Sequence, residues 1–356
     1  MKLIHCADLH LDSKLSANLE KEKVKERRQE ILNTFVRMVN YAVQHQVDAI
    51  LIAGDMFDTK NISANVRNTV LHHIVGNPDI TFYYLKGNHD YDSFLSSLET
   101  VPSNLKLFSE EWTHYDLGKI VISGIELSEE SGAGAHISLV LDINKFNIVM
   151  MHGQENELIN LRELKNKGID YLALGHIHAY KKEALDGRGS YCYPGCLEGR
   201  GFDECGEHGF VVLDVNEETG TYTHSFIPFA GRMLHEVKVD VSECDTTAEM
   251  IAVAEETLKG ARCKEQDLVK IVLVGDVDVE CEKDIQGMVT HFKDWYYFVK
   301  VYDETGLKVD MESFLLDESL KGEFVRMVMN ASALGEEEKR TIIRYGLQAI
   351  AGEEVQ

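Results

Sequence analysis

Five short apolar runs punctuate the first half of this 356-residue chain, and every one of them stops at a cluster of Asp, Asn or His. "KLIHCA" (2 to 7) leads into "DLH" with Asp8 and His10, "DAILIAG" (48 to 54) into "GDMFD" with Asp55 and Asp58, and "ITFYYLKG" (80 to 87) into "GNHD" with Asn88, His89 and Asp90. "FNIVMMHG" (146 to 153) closes on His152, and "IDYLALGH" (169 to 176) closes on "GHIH" with His176 and His178. Apolar runs without polar alternation read as strands buried on both faces. Between the first two, Ile31, Phe35, Met38, Val39 and Ala42 fall at helical spacing, and a second helical pattern begins at Ser63 as a cap. Alternating strands and helices make this an α/β architecture.

Side chains at the carboxyl ends of strands in an open α/β sheet converge on one crevice, so these motifs aim their polar groups at one place. An extended segment turns residues i and i+2 to the same side, which would pair Asp8 with His10 and His176 with His178. Glycines 54, 87, 153 and 175 allow close backbone approach beside them. Carboxylate, amide and imidazole donors together suit Mn²⁺, Fe or Zn²⁺, whereas Ca²⁺ takes oxygens alone. The donors exceed the need of one ion. They suit two ions about 3.5–4 Å apart, with a bridging carboxylate and a water placed to attack phosphorus in line. Each motif by itself is weak: D-x-H arises by chance, G-D-x-x-D can be a capped turn, and G-N-H-D an Asx turn in which Asp90 bonds within its own loop. The signal lies in all five appearing in order, each at the end of an apolar run.

A formal net charge of −24 excludes a broad basic surface for nucleic acid, though not a local site. Residues 231 to 356 carry 27 Asp and Glu against 15 Lys and Arg, so acidity is densest there. Two divalent ions would nevertheless make the pocket itself cationic. No run of 18 apolar residues exists, and "MKLIHCADLH" lacks the features of a secretory signal, so no membrane association and a cytoplasmic location are expected. Seven cysteines without a C-x-x-C pair read as reduced thiols. Cys192, Cys196 and Cys205, with His208 nearby, lack zinc-ribbon spacing and read as structural. Lys60, Arg188 and Arg200 fall in loops beside the motifs, where surface charge is a better reading than phosphate contact.

From Met233 the pattern changes. "LHEVKVDV", "LVKIVLVGDVDV" and "WYYFVKVYD" read as strands separated by the helical "TAEMIAVAEETLKG" and "EKDIQGMVTHF", a small β-α-β-α-β domain. The last 45 or so residues read as a helical hairpin with Gly335 as the stop between arms, and with apolar stripes at Leu320, Phe324 and Val328 and at Ile342, Tyr345 and Ala349.

The ordered set "DLH", "GDMFD", "GNHD", "HG" and "GHIH" resembles the calcineurin-like metallophosphoesterase superfamily across the first 200 residues. The following "YPGCLEGRGFDECGEHGFVVLDV" resembles the matching segment of SbcD-type DNA-repair exonucleases, partners of a coiled-coil SMC-like ATPase. The resemblance implies a four-layer α-β-β-α sandwich with a smaller C-terminal α+β capping domain and terminal helices. The implied divisions are a catalytic domain over 1–230, a DNA-recognition-like cap over 231–310 and a helical hairpin over 311–356. It implies that Asp8, His10 and His178 hold one ion, Asn88, His152 and His176 the other, and that Asp55 bridges. Mn²⁺ is the implied pair, with Fe or Zn²⁺ as alternatives; His89 is the implied catalytic residue and Asp58 the carboxylate that orients it. DNA is then the substrate, an SMC-like ATPase the partner, and a homodimer is compatible. A phosphatase or small-molecule phosphodiesterase is the alternative. Protein phosphatases of the superfamily carry G-D-x-x-D-R-G where this chain has "GDMFDTK", which disfavours that branch. Asp12 stands where many SbcD-type nucleases have glycine.

Overall fold

In the computed structural model, residues 1–15, 19–91, 93–127, 136–155, 157–278, 281–308, 316–332 and 334–351 are described. The chain divides into two compact units, Met1–Met233 and Leu234–Gln356. In the first, the strands are β1 (Lys2–Cys6), β2 (Ala49–Ala53), β3 (Thr81–Leu85), β4 (Leu105–Leu107), β5 (Thr113–Asp116) and β6 (Ile120–Gly124). They continue with β7 (Phe146–His152), β8 (Tyr171–Gly175), β9 (Lys181–Ala184), β10 (Ser190–Tyr193), β11 (Gly209–Asn216) and β12 (Thr221–Pro228). They form two six-stranded sheets, ordered β12-β11-β1-β2-β3-β4 and β5-β6-β7-β8-β10-β9. Each has a parallel core, β1 to β4 in one and β6, β7, β8 and β10 in the other, with antiparallel strands at its margins.

The five apolar runs become β1, β2, β3, β7 and β8, each buried along almost its whole length. Alternate residues feed different cores because a strand presents its side chains to opposite faces. Leu3, Leu51 and Tyr83 face Ile122, Ile148, Met150 and Ala173 between the sheets. Ile4, Ile52, Phe82 and Tyr84 pack outward against helix α1 (Lys21–Gln44) and helix α2 (Ala64–Val75). The helical stripe of Ile31, Phe35, Met38, Val39 and Ala42 is the buried face of α1. Ser63 caps α2, its side chain accepting the Val66 N–H at 3.4 Å. Asp12 in turn accepts the Ser63 N–H at 2.7 Å, which gives this departure from glycine a local role. The outer face of the second sheet, with Met151, Leu172, Leu174 and Tyr193, is covered by Ile159, Leu164, Ile169 and Leu185. The fourth layer is therefore slight: its described helix is the single turn Leu161–Leu164, and loops supply the rest.

In the second unit, parallel strands β13 (Leu234–Asp240), β14 (Leu268–Val274) and β16 (Phe298–Asp303) pack on helices Thr247–Gly260 and Ile285–Phe292. Two-residue strands β15 (Asp276–Val277) and β17 (Gly306–Leu307) pair beside them. The terminal helices, Leu320–Met329 and Glu336–Ala351, bury Val325, Val328, Ile343 and Leu347 against each other. The stripes expected from the sequence are partly displaced: Leu320 is 72% exposed, and the second arm buries Ile343 and Leu347, with Ile342 38% exposed. Gly335 is not the stop of the first arm, which ends at Met329; it directly precedes the second. Among the described residues, no helix is long and apolar enough to cross a membrane.

Candidate metal centre

Asp8 and His10 follow β1, Asp55 and Asp58 follow β2, and Asn88 and His89 follow β3, all in the first sheet. His152 ends β7, and His176 and His178 follow β8, in the second. The polar cluster thus lies across the carboxyl edge of the whole sandwich, rather than in the crevice of one open sheet. The loops after β1 and β2 are laced together: Asp8 N–H donates to Gly54 O, His10 N–H to Asp55 O and Leu11 N–H to Met56 O, each at 3.0 Å.

These segments are not extended, so the same-side argument for i and i+2 does not apply. Asp8, His10 and Asp55 have φ of +51°, +44° and +51°, and His176 has +108°. Such left-handed, non-glycine backbone costs about 1–3 kcal/mol per residue and collects at functional sites. Here it is held by hydrogen bonds made to the loops; the His176 N–H, for example, donates to both oxygens of Asp8, at 3.1 and 2.9 Å. Glycine is required at two neighbours. A Cβ on Gly175 would lie 1.9 Å from Ala53 O, and one on Gly54, itself at φ +92°, 2.1 Å from His152 Nδ1.

The imidazole tautomers follow from their partners. His152 Nδ1 lies 2.9 Å from Ala53 O, a carbonyl that only accepts, so Nδ1 carries the proton. In the neutral ring Nε2 is then a lone pair, yet it faces Asn88 Oδ1 at 3.0 Å and Asp55 Oδ2 at 3.3 Å, both acceptors. His176 Nδ1 lies 3.4 Å from the same Asn88 oxygen. On the other side, His178 Nδ1 donates to Glu204 Oε1 at 2.6 Å, which leaves its Nε2 a lone pair 3.2 Å from His10 Nε2. Asp8 Oδ1 is 3.9 Å from that His178 nitrogen, and Asp55 Oδ2 is 4.0 Å from the His10 one.

Acceptors facing acceptors in a part-buried pocket call for a cation between them. Ligand atoms of Asp8, His10 and His178 all lie within 4.8 Å of one another, as do those of Asp8, Asp55 and His152. The donor set therefore fits two ions, with Asp55 reaching toward both groups. Without an ion a proton takes that place on His152: burial disfavours the charged ring, but the hydrogen bond to Asp55 and the charges of Asp8 and Asp55 hold its pKa up at about 9. Burial likewise opposes the Asp55 charge, but His152 and the His89 N–H keep that carboxyl at about 2.

Asp58 serves two histidines at once. Its Oδ1 is 3.2 Å from His89 Nδ1 and 3.4 Å from His10 Nδ1, and Ser13 Oγ donates to its other oxygen at 2.7 Å. Burial opposes its ionisation, but His10, Ser13 and the nearby Arg200 hold its pKa at about 2. The His89 backbone N–H donates to Asp55 Oδ1 at 2.8 Å, while the ring is half exposed.

Two residues that the sequence reading did not place in the site join it. Glu204 binds His178, and Arg200 binds Glu204 at 2.8 Å and lies 3.6 Å from Asp58; Arg200 is an internal counter-ion rather than a surface charge. Arg188 lies elsewhere, on Asp170 and the carbonyls of Ile143 and Lys145. Lys60 stacks 5.1 Å from the Tyr91 ring centroid. Asp90 accepts backbone N–H groups of Met56, Phe57 and Gly87, a loop role. The cysteines do not form one cluster: Cys196 contacts His208 Nδ1 at 3.2 Å, Cys192 contacts His224, and Cys205 bonds Phe202 O.

The chain is 28% identical over 298 residues, 77% of its length and 72% of the relative's, to the uncharacterized metallophosphoesterase YhaO of Bacillus subtilis. It is 21% identical over 345 residues, 88% of its length and 85% of the relative's, to the DNA double-strand break repair protein Mre11 of Sulfolobus acidocaldarius. The same-named protein of Sulfurisphaera tokodaii is 26% identical over 207 residues, 52% of this chain and 51% of that one. The family model of the calcineurin-like phosphoesterases matches residues 1–180, half of the chain, and the chain belongs to that family.

Proposed function

We propose that this chain is a two-metal-dependent phosphodiesterase that hydrolyses DNA. The observation that carries the reading is two donor groups, Asp8–His10–His178 and Asp8–Asp55–His152, joined at Asp8, with Asp55 Oδ2 3.3 Å from His152 Nε2 and 4.0 Å from His10 Nε2 and with the His89 N–H bound to Asp55. Asp8, His10 and His178 would hold one ion and Asn88, His152 and His176 the other, with Asp55 shared. When bound, two such ions supply positive charge to the phosphate oxygens and acidify the attacking water. Asp58, with Oδ1 3.2 Å from His89 Nδ1, orients that ring for general-acid work on the leaving oxygen. Mn²⁺ suits the mixed nitrogen and oxygen donors, with Fe and Zn²⁺ as competitors.

The DNA assignment draws support from the relatives named as double-strand break repair proteins. On this reading the β-α-β-α-β segment acts as a capping domain, the terminal helices as a dock for a coiled-coil SMC-like ATPase, and the cytoplasm as the place of action. The test is end-labelled linear DNA incubated with the protein and Mn²⁺, alongside a small phosphate bis-ester and a mono-ester. Metal-dependent shortening of DNA is expected; turnover of the small esters with DNA left intact would overturn the assignment. That second outcome describes a phosphatase or small-molecule phosphodiesterase, which one observation favours: a chain of net charge −24 steers DNA poorly toward its surface.

A further inference from the structure

We propose that Glu204, clamped by Arg200, is the residue that positions His178 in the metal centre. The inference rests on the metal-centre reading above and concerns how one ligand of that centre is fixed. Three ligand histidines are held in three different ways. His10 is 1% exposed at its side chain and is fixed by packing, with Asp58 Oδ1 3.4 Å from its Nδ1; His152 is 4% exposed and hydrogen-bonded to Ala53 O. His178 lies in the loop after β8 with its side chain 28% exposed, so packing alone leaves its ring free to turn. A half-turn would put a ring carbon where each nitrogen stands and carry the Nε2 lone pair away from His10 and Asp8.

Glu204 removes that freedom. A carboxylate only accepts, so its 2.6 Å contact fixes the proton on Nδ1 and leaves the Nε2 lone pair toward His10 and Asp8. Glu204 is itself 5% exposed and held from several sides. Arg200 donates to it from its backbone N–H at 2.7 Å, from Nε at 3.2 Å and from Nη2 at 2.8 Å. The main chain is tied as well: Glu204 N–H bonds Gly201 O at 2.9 Å, and His208 Nε2 donates to Glu204 O at 2.8 Å. Cys196 N–H bonds the carbonyl of His178 itself at 3.0 Å, so the loop carrying Glu204 starts from the ligand it orients. Arg200 Nη1 reaches to 3.6 Å from Asp58, the carboxylate between His10 and His89. One half-buried cation thereby ties the support of a metal ligand to that of the exposed histidine.

Calorimetric titration with Mn²⁺ alone tests this without reference to any substrate. Wild-type protein should bind two ions. Glu204→Ala should weaken one of them by roughly 10–100-fold and leave the other within about twofold. Glu204→Gln, which keeps a carbonyl acceptor in place, should recover most of that loss, and thermal melts of the metal-free variants check that both are folded. In a His178→Ala background, adding Glu204→Ala should change Mn²⁺ binding no further, because the carboxylate then has no ring to orient. Unchanged binding in Glu204→Ala, or an equal loss in the His178→Ala background, would overturn the proposal while the two-ion reading stands. Wild-type protein that takes up no Mn²⁺ would overturn both.

Discussion

The two units of this chain treat polar groups and backbone strain differently. In Met1–Met233, the described buried polar residues include Asp8, His10, Asp55, His152, Glu198, Glu204 and His208, and five left-handed non-glycine residues (Asp8, His10, Asp12, Asp55, His176) fall in the loops that carry or adjoin the motifs. In Leu234–Gln356, Asp267 is the one buried charged or polar residue and Arg262 the one left-handed non-glycine among those described. The second unit follows local rules throughout, with alternating or buried strands, a full capping box on Thr247–Gly260 and an apolar core. Where every level of a sequence agrees, stability is the only constraint; where local rules fail together at one edge, a site is the reason.

The contrast predicts opposite phenotypes for buried substitutions in the two units. Asp55→Ala removes the shared carboxylate and should lower phosphoesterase activity by roughly 10³-fold or more, beyond the 10–100-fold typical of an outer partner, with loss of bound metal. Ile271→Ala, in the core of the second unit, should leave Mn²⁺ binding intact and cost about 2–5 kcal/mol of stability. Metal titration and denaturant melts on both variants decide. If Ile271→Ala emptied the metal centre, the separation drawn between the units would fail.

One step smaller is His89→Ala. Its ring is half exposed and contacts Asp58, with only its backbone on Asp55, so the variant should keep both ions yet lose about 10²–10⁴-fold in turnover. Full activity would show that the exposed ring takes no part in the chemistry.

The same contrast governs what could be read from the sequence. The strands β1, β2, β3, β7 and β8 were legible because parallel strands covered on both faces leave continuous apolar runs. Strands β5 ("THYD") and β9 ("KKEA") were not, because they are edge strands with mostly solvated side chains, and "KKEA" reads equally as a helix. The ligand set was legible through its order along the chain, but the physical reason first given for its spacing was not the right one. Asp8 and His10 converge through left-handed backbone, and nothing in an Asp or His announces a positive φ as glycine would. Glu204 lies in the quoted 193–215 segment, but its role left no signal: it meets His178 across 26 residues, through a loop closure that no periodicity encodes.

A further consequence concerns protons. His152 is raised from 6.5 to about 9: burial works against the charge, and Asp55 with Asp8 outweighs it. A raised pKa means that the charged ring stabilises the metal-free fold fully below its ordinary value, and that this contribution disappears as pH rises through about 9. An ion taking the Nε2 lone pair must displace that proton. Apparent affinity for the Mn²⁺ that His152 would hold should therefore climb about tenfold per pH unit between about pH 6.5 and 8, with roughly one proton released from this histidine as that ion binds. Calorimetry in buffers of different ionisation enthalpy reads the proton directly, and a flat profile would show that His152 is already neutral.

The smallest effect should come from the second unit. Thr246 caps helix Thr247–Gly260 by accepting the Glu249 N–H, while the Glu249 side chain accepts the Thr246 N–H at 3.1 Å. Thr246→Ala leaves a helix-end donor without its side-chain partner and should cost about 1 kcal/mol. The helix buries Met250, Ala254 and Leu258 against the sheet, and these contacts are untouched by the substitution, so the loss should appear as a lower melting midpoint with an unchanged native spectrum. The capping box belongs to the second unit and the metal-ligating loops to the first. Mn²⁺ affinity should accordingly stay within experimental error of wild type, and a shift in it would mean that a solvated helix end in one unit is coupled to the strained loops of the other.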